Sequence, residues 1–299
     1  MRNAFIEELV TLARTNPQIA LVVGDLGYSV IEPFADEFPD RFINAGVAEQ
    51  NMTGLAAGMA SEGYHVFTYS IANFPTFRCA EQIRNDVDYH RLPVTVVSVG
   101  GGLAYGALGY SHHAVQDYAL MRAFPNMLIA APGDPMEVRA CLRYLVANPG
   151  PSYLRLGKAG EPCFHAAPPE LAPGRWLPVR PGNGARAVLS TGAGLGIAMG
   201  WRDEWASLPV YSMPLWSLAS KPAQAAQLAA CERLLTVEDH LLDGGFGSWM
   251  LEARALASDV RTQILPLALT AEVCGTVGSQ ATLNALGGLD QPPSSFLKA

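Results

Sequence analysis

The chain is poor in the features that mark secreted, membrane-spanning or nucleic-acid-binding proteins. Its five cysteines (Cys79, Cys141, Cys163, Cys231, Cys274) are scattered, odd in number and show no CxxC spacing. They read as reduced thiols of a cytosolic protein, and a cytoplasmic location is the expectation. Positive charge is scarce: 20 Lys and Arg stand against 27 acids, a net of −7. A nucleic-acid binder would usually show a basic face, and no basic run suggests an anionic membrane surface. No apolar run reaches membrane-spanning length. The opening MRNAFIEELVTLARTNP carries acids early and apolar residues at helical spacing, so an amphipathic helix is expected there instead of a leader. What the chain does have is apolar bulk. Hydrophobic residues make up 49% and charged residues 16%, the balance of a well-buried globular protein.

Its 299 residues suit two domains of ordinary size. Short apolar runs alternate with helical patterns. IALVVGD (19–25), RFIN (41–44), HVFTYS (65–70), LPVTVVSVG (92–100), NMLIAAPG (126–133) and PSYLRL (151–156) read as buried strands. Helix patterns fall at 48–61, 77–90, 113–124 and 134–148. Strands that are apolar on both faces and alternate with helices imply a parallel sheet covered on both sides. From 161 to 184 the pattern gives way to a Pro/Gly-rich stretch read as a linker. Alternation then resumes, with strands in ARAVLSTG, LPVYSM, RLLTVEDH and RTQILPLAL, and helices near 194–205, 221–231 and 245–257. The expected architecture is α/β with two doubly wound domains, residues 1–160 and a smaller 185–299.

Several short motifs invite chemistry. NAGVAEQNMTG (44–54) places one acid, Glu49, among small and apolar residues, where a carboxylate is costly to bury without a partner. Asn44-Ala45-Gly46 reads as a turn, with Glu49 in the first turn of the next helix. Gly24-Asp25 followed by Asn51 imitates a GDG…N magnesium–diphosphate motif. The third glycine is Leu26, however, and Asn51 falls in a helix pattern, so the match is rejected. STGAGLGIAMG (190–200) lacks GxGxxG spacing and reads as a tight strand-to-helix turn. The Gly-rich loop GGGLAYGALGYSHH (100–113) follows a strong strand, where loops of open parallel sheets line the ligand crevice. His112 and His113 end it, and adjacent side chains face different ways, so no metal site is expected from this pair. Phe74 and Phe77, just past HVFTYS, suit either core packing or a ring-stacking platform.

Taken in order, RFINAGVAEQNMTGLAAGMASEG, FRCAEQIRNDV, GALGYSHHAVQDYALMR and PNMLIAAPGDPMEVR resemble the pyrimidine-binding domain of transketolases and of 1-deoxyxylulose-5-phosphate synthase. TVEDHLLDGGFGSWMLE (236–252) resembles the start of the transketolase C-terminal domain. The resemblance spans nearly the whole chain, while the family's first domain, which carries GDG…N, has no counterpart. It therefore implies the C-terminal subunit of a split transketolase. The implied cofactor is thiamine diphosphate, with Mg2+ ligands on a separate N-terminal, diphosphate-binding subunit. The implied activity is transfer of a two-carbon ketol unit from a ketose to an aldehyde, and the implied assembly is a homodimer or heterotetramer. Carried over residue by residue, Glu49 faces the aminopyrimidine N1′ and Phe74 stacks on that ring, with Phe77 beside it. Arg78 lies nearby. His112 faces substrate hydroxyls and the carbonyl oxygen. Asp25 and Ser29 line the channel, and Lys158 falls where the family places a phosphate-binding arginine.

Two positions depart from the family pattern. Leu108 stands where many members carry an acceptor-contacting aspartate. Lys158 offers a point charge in place of a bidentate fork. Both imply a less hydroxylated or more apolar acceptor than an ordinary pentose or tetrose phosphate. Three rival readings stand beside this one: a deoxyxylulose-phosphate-synthase-like subunit, a 2-oxoacid dehydrogenase β subunit, and a non-catalytic regulatory paralogue.

Overall fold

The computed structural model describes residues 1–182 and 185–297; the last two residues of the 161–184 stretch and of the chain lie outside the described residues. The first sheet is built from β1 (Ile19–Val23), β2 (Phe42–Asn44), β3 (His65–Ile71), β4 (Val94–Val99), β5 (Leu128–Ala130) and β6 (Ser152–Leu156). All five pairings among these strands are parallel. The second sheet contains β7 (Leu177–Arg180), β8 (Arg186–Ser190), β9 (Val210–Ser212), β11 (Arg233–Leu241) and β12 (Gln263–Leu269), with β10 (Leu215–Trp216) between β9 and β11 in the chain. The spatial orders are β10-β5-β6-β4-β3-β1-β2 and β12-β11-β8-β9-β7.

Period-2 alternation within an all-apolar strand explains the layering. In β1, Ile19, Leu21 and Val23 face one core, shared with Phe5 and Leu9 of the helix Arg2–Thr15 and Val138 and Leu142 of the helix Pro135–Ala147. Ala20 and Val22 face the other, under Met52 and Ala56 of the helix Glu49–Ser61. A third core is common to both sheets: Val96, Ile129 and Tyr153 pack with Leu189, Trp216, Phe246 and Trp249.

Two strands join the sheets in places that the sequence pattern did not suggest. β7 lies inside the Pro/Gly-rich stretch and pairs antiparallel with β9. It is an edge strand, where Pro178 removes no needed donor. β10 comes from the second half of the chain yet pairs antiparallel with β5 of the first sheet. The expected helix at 77–90 is also broken, into Asn73–Phe77, Ala80–Gln82 and a π-helical turn Ile83–Asp88. The expected 113–124 helix shortens to Asp117–Met121, because Ala114 is held in a bridge with Gly102. The loops after β1, β2, β3, β4 and β6 leave the carboxyl ends of neighbouring parallel strands, the position of the ligand crevice in open α/β sheets.

Candidate functional site

The loop after β2 sets the first group. Gly46 adopts φ +72 and its N–H donates to Asn44 Oδ1 at 3.0 Å, so a side chain there would strain the turn. The turn delivers Glu49 as the first residue of its helix, with 4% of its surface exposed. Arg78 Nη1 donates to Glu49 Oε2 at 3.0 Å. A cavity of about 380 Å³ opens beside this pair, lined by Val47, Ala48, Glu49, Gln50, Asn51 and Arg78.

From Arg78 a line of contacts runs through the site. Its guanidinium carbon lies 4.5 Å from the centroid of the Phe74 ring. Phe74 meets His112 edge-on, centroids 5.3 Å apart. His112 also meets Tyr105 edge-on, centroids 6.4 Å apart, and the Lys158 ammonium sits 4.9 Å from the centre of that tyrosine ring. Loops after three strands (β3, β4 and β6) therefore converge on the half-buried His112. Ser111 Oγ lies 3.0 Å from His112 Nδ1. Burial, with the neighbouring His113, pulls the His112 pKa below its ordinary value. The two adjacent histidines do face apart: His113 is buried, with Nε2 3.2 Å from the Gly106 carbonyl.

The other expected residues, Asp25, Ser29, Phe77 and Leu108, are exposed. Asp25 accepts from Asn44 Nδ2 and from Tyr28 Oη, both at 2.9 Å, and these bonds, led by Asn44, lower its pKa. Asp25 and Ser29 both take left-handed backbone, φ +54 and +67. Such conformations in non-glycine residues cost energy and gather at functional sites. Phe77 is half exposed, and with Phe74, Arg78, Tyr110 and Gln116 it lines a second cavity of about 480 Å³. Leu108 is 57% exposed on the loop that carries His112. Sequence reading missed Tyr105, which bridges His112 and Lys158, and the bond by which Asn44 orients Asp25. Both residues lie in stretches singled out for other reasons, the glycine-rich loop and the turn at 44–46. Among the described residues no group of three or more His, Cys, Asp or Glu is placed to hold a metal ion.

Residues 1–160 match the transketolase pyrimidine-binding domain. The chain belongs to the transketolase family. Within that family it is 31% identical to an apulose-4-phosphate transketolase subunit of Actinobacillus succinogenes, over 85% of this chain and 83% of the relative. It is also 31% identical to a putative transketolase C-terminal section of Methanocaldococcus jannaschii, over 97% of this chain and 92% of that one. Among solved structures, a split gene transketolase described as an inactive β4 tetramer superposes with a TM-score of 0.81 at 30% identity, covering 96% of this chain and 93% of that chain.

Proposed function

We propose that this chain is the pyrimidine-binding subunit of a two-chain, thiamine-diphosphate-dependent transketolase, which moves a two-carbon ketol unit from a ketose or ketose phosphate to an aldehyde. The observation that carries this reading is the Glu49–Arg78–Phe74 arrangement. A flat guanidinium is stacked near an aromatic ring and hydrogen-bonded to a buried carboxylate. A flat, N–H-bearing or nitrogen-bearing ring such as an aminopyrimidine asks for the same two partners. Arg78, which is half exposed, touches both of those partners.

When bound, thiamine diphosphate supplies a nucleophilic carbon and an electron sink. Glu49 would then hydrogen-bond N1′ of the aminopyrimidine. Phe74 stacks on the ring, with Phe77 at its side. His112, neutral at pH 7 because burial lowers its pKa, faces the substrate carbonyl oxygen and can take up or deliver a proton there. Asp25 and Ser29 line the channel. Lys158 holds a substrate phosphate as a point charge. The name of the Actinobacillus succinogenes relative includes a sugar 4-phosphate, which supports that role. A separate diphosphate-binding chain holds Mg2+, and the assembly is a homodimer or a heterotetramer with two such chains. The description of the β4 neighbour as inactive supports the need for the second chain.

The test is Glu49→Gln in the two-chain enzyme. Ketol transfer is expected to fall at least about a hundredfold while the fold persists; near-normal turnover overturns the assignment. Pyruvate decarboxylation in place of ketol transfer would move the chain to the synthase or dehydrogenase reading. No ketol transfer with any donor would leave the non-catalytic one. The exposed Leu108 and the ring-bound Lys158 favour a less hydroxylated or more apolar acceptor. Steady-state rates across a panel of aldehydes check this, and a clear preference for ribose 5-phosphate counts against it.

A further inference from the structure

We propose that Asn73 is the positioning residue for His112: its amide ties the histidine loop to the helix that carries Phe74, and so fixes the stacking ring and the histidine relative to each other. This rests on the function proposed above. Loop 103–113 is closed at its base by the antiparallel bridge between Gly102 and Ala114. From inside, His113 Nε2 lies against the Gly106 carbonyl, and the Gly278 N–H reaches that same carbonyl at 3.3 Å. Those contacts hold the start of the loop. His112 sits further along, in a single 3-10 turn over Tyr110–His112, with its own N–H on the Gly109 carbonyl.

The tip is fastened from across the crevice. Asn73 Nδ2 donates to the Ser111 carbonyl at 3.1 Å and to the His113 carbonyl at 2.9 Å. One amide thus holds the carbonyls on both sides of His112. Asparagine at a helix start commonly bonds its own first turn. Here both acceptors are about forty residues away, on the next strand's loop. Asn73 is also the immediate neighbour of Phe74, so the clamp begins one residue from the stacking ring. Catalytic geometry tolerates little slack, since displacing a group by about 1 Å can cost on the order of a hundredfold in rate.

Two variants test it. Asn73→Ala removes the amide, and Asn73→Asp keeps its shape but offers only oxygens to the two carbonyls. In the chain by itself, amide exchange in segment 106–114 is expected to rise on the order of tenfold in both, with the other segments unchanged. In the two-chain enzyme, kcat is expected to fall about tenfold or more. The dissociation constant for thiamine diphosphate should stay within about twofold, because Glu49 and Phe74 are untouched. Unchanged loop exchange, unchanged kcat, or a parallel loss of kcat and cofactor affinity each overturns the clamp. If the unmodified enzyme transfers no ketol unit, the proposed function falls, and the exchange measurement still decides whether Asn73 holds the loop.

Discussion

Two arginines in this chain make the same pair of contacts and differ in everything around them. Arg155 lies over the Tyr118 ring at 4.4 Å, and Arg78 over Phe74 at 4.5 Å; each donates to a carboxylate. Arg155, on β6, is 3% exposed. It reaches Asp117 at 2.7 Å, Asp239 of the second sheet at 2.6 Å, and the Ala114 carbonyl at 2.8 Å. The loop glycines fit onto this cluster, since a side chain at Gly102 would collide with the Asp239 carboxylate. Arg78 is 52% exposed and has one carboxylate partner, Glu49. Burial and partner number make the first arginine a lock that joins two sheets, while the second stands half exposed beside the cavity at Glu49.

The comparison breaks most easily at the lock. Arg155→Met leaves the Asp117 and Asp239 carboxylates buried beside each other, and is expected to cost about 3–5 kcal/mol of stability. Urea unfolding measures it, and a loss below about 1 kcal/mol would erase the distinction. The next effect is in pH. His240 is fully buried beside the same cluster, its Nε2 3.9 Å from Asp117 Oδ1 and its ring stacked on Tyr118. Burial pushes its pKa down to about 4 against the opposing charge of Asp117. The folded chain thus keeps the ring neutral while the unfolded chain, with a pKa near the ordinary 6.5, takes up a proton. Stability from this group is full above about pH 6.5 and is lost as pH falls toward 4, by about 2 kcal/mol at pH 5. His65, also pushed to about 4 by burial, adds a like loss, while Glu137 and Glu238, raised to about 7 and about 8, work against it. The test is therefore a difference: between pH 7 and 5 the unfolding free energy of His240→Gln should fall about 2 kcal/mol less than that of the unmodified chain, and equal falls would overturn the assignment. The smaller loss belongs to Arg78. Arg78→Met leaves one carboxylate, the 4% exposed Glu49, without its partner, and is expected to cost about 1–3 kcal/mol, less than Arg155→Met, which strands two. A loss matching that of Arg155→Met would make the two arginines equivalent.

The same division explains what could be read from the residue order alone. β1 was legible because five consecutive apolar residues must be covered on both faces. Glu49, Phe74 and His112 lie in the connections that follow β2, β3 and β4, the first two at helix starts and the third in a 3-10 turn, and the resemblance led to all three. The structure brings these three together: Arg78 links Glu49 to Phe74, and Phe74 meets His112 directly. The bonds that align them were not legible. Asn73 reaches two carbonyls 38 and 40 positions away, and Asn44 holds Asp25 across 19. Neither spacing has a period that a sequence could display. The 77–90 stretch misled for a related reason: its apolar residues keep helical spacing, yet the chain turns through three short segments to bring Arg78 to Glu49. β7 and β10 were hidden because edge strands of two to four residues, rich in Pro, Trp and Leu, carry too little alternation to register.

β10 has a consequence for where this protein can be cut. The family resemblance of the first domain ends at residue 160, but the first sheet does not end there, because its last strand arrives 55 residues later. A fragment that stops at 160 would present the unpaired edge of β5 and the uncovered faces of Ile129 and Tyr153 to water. An open apolar edge of this kind recruits other chains. The evolutionary unit and the unit that folds are thus drawn along different lines, and the strand Leu215–Trp216 is where the second overruns the first.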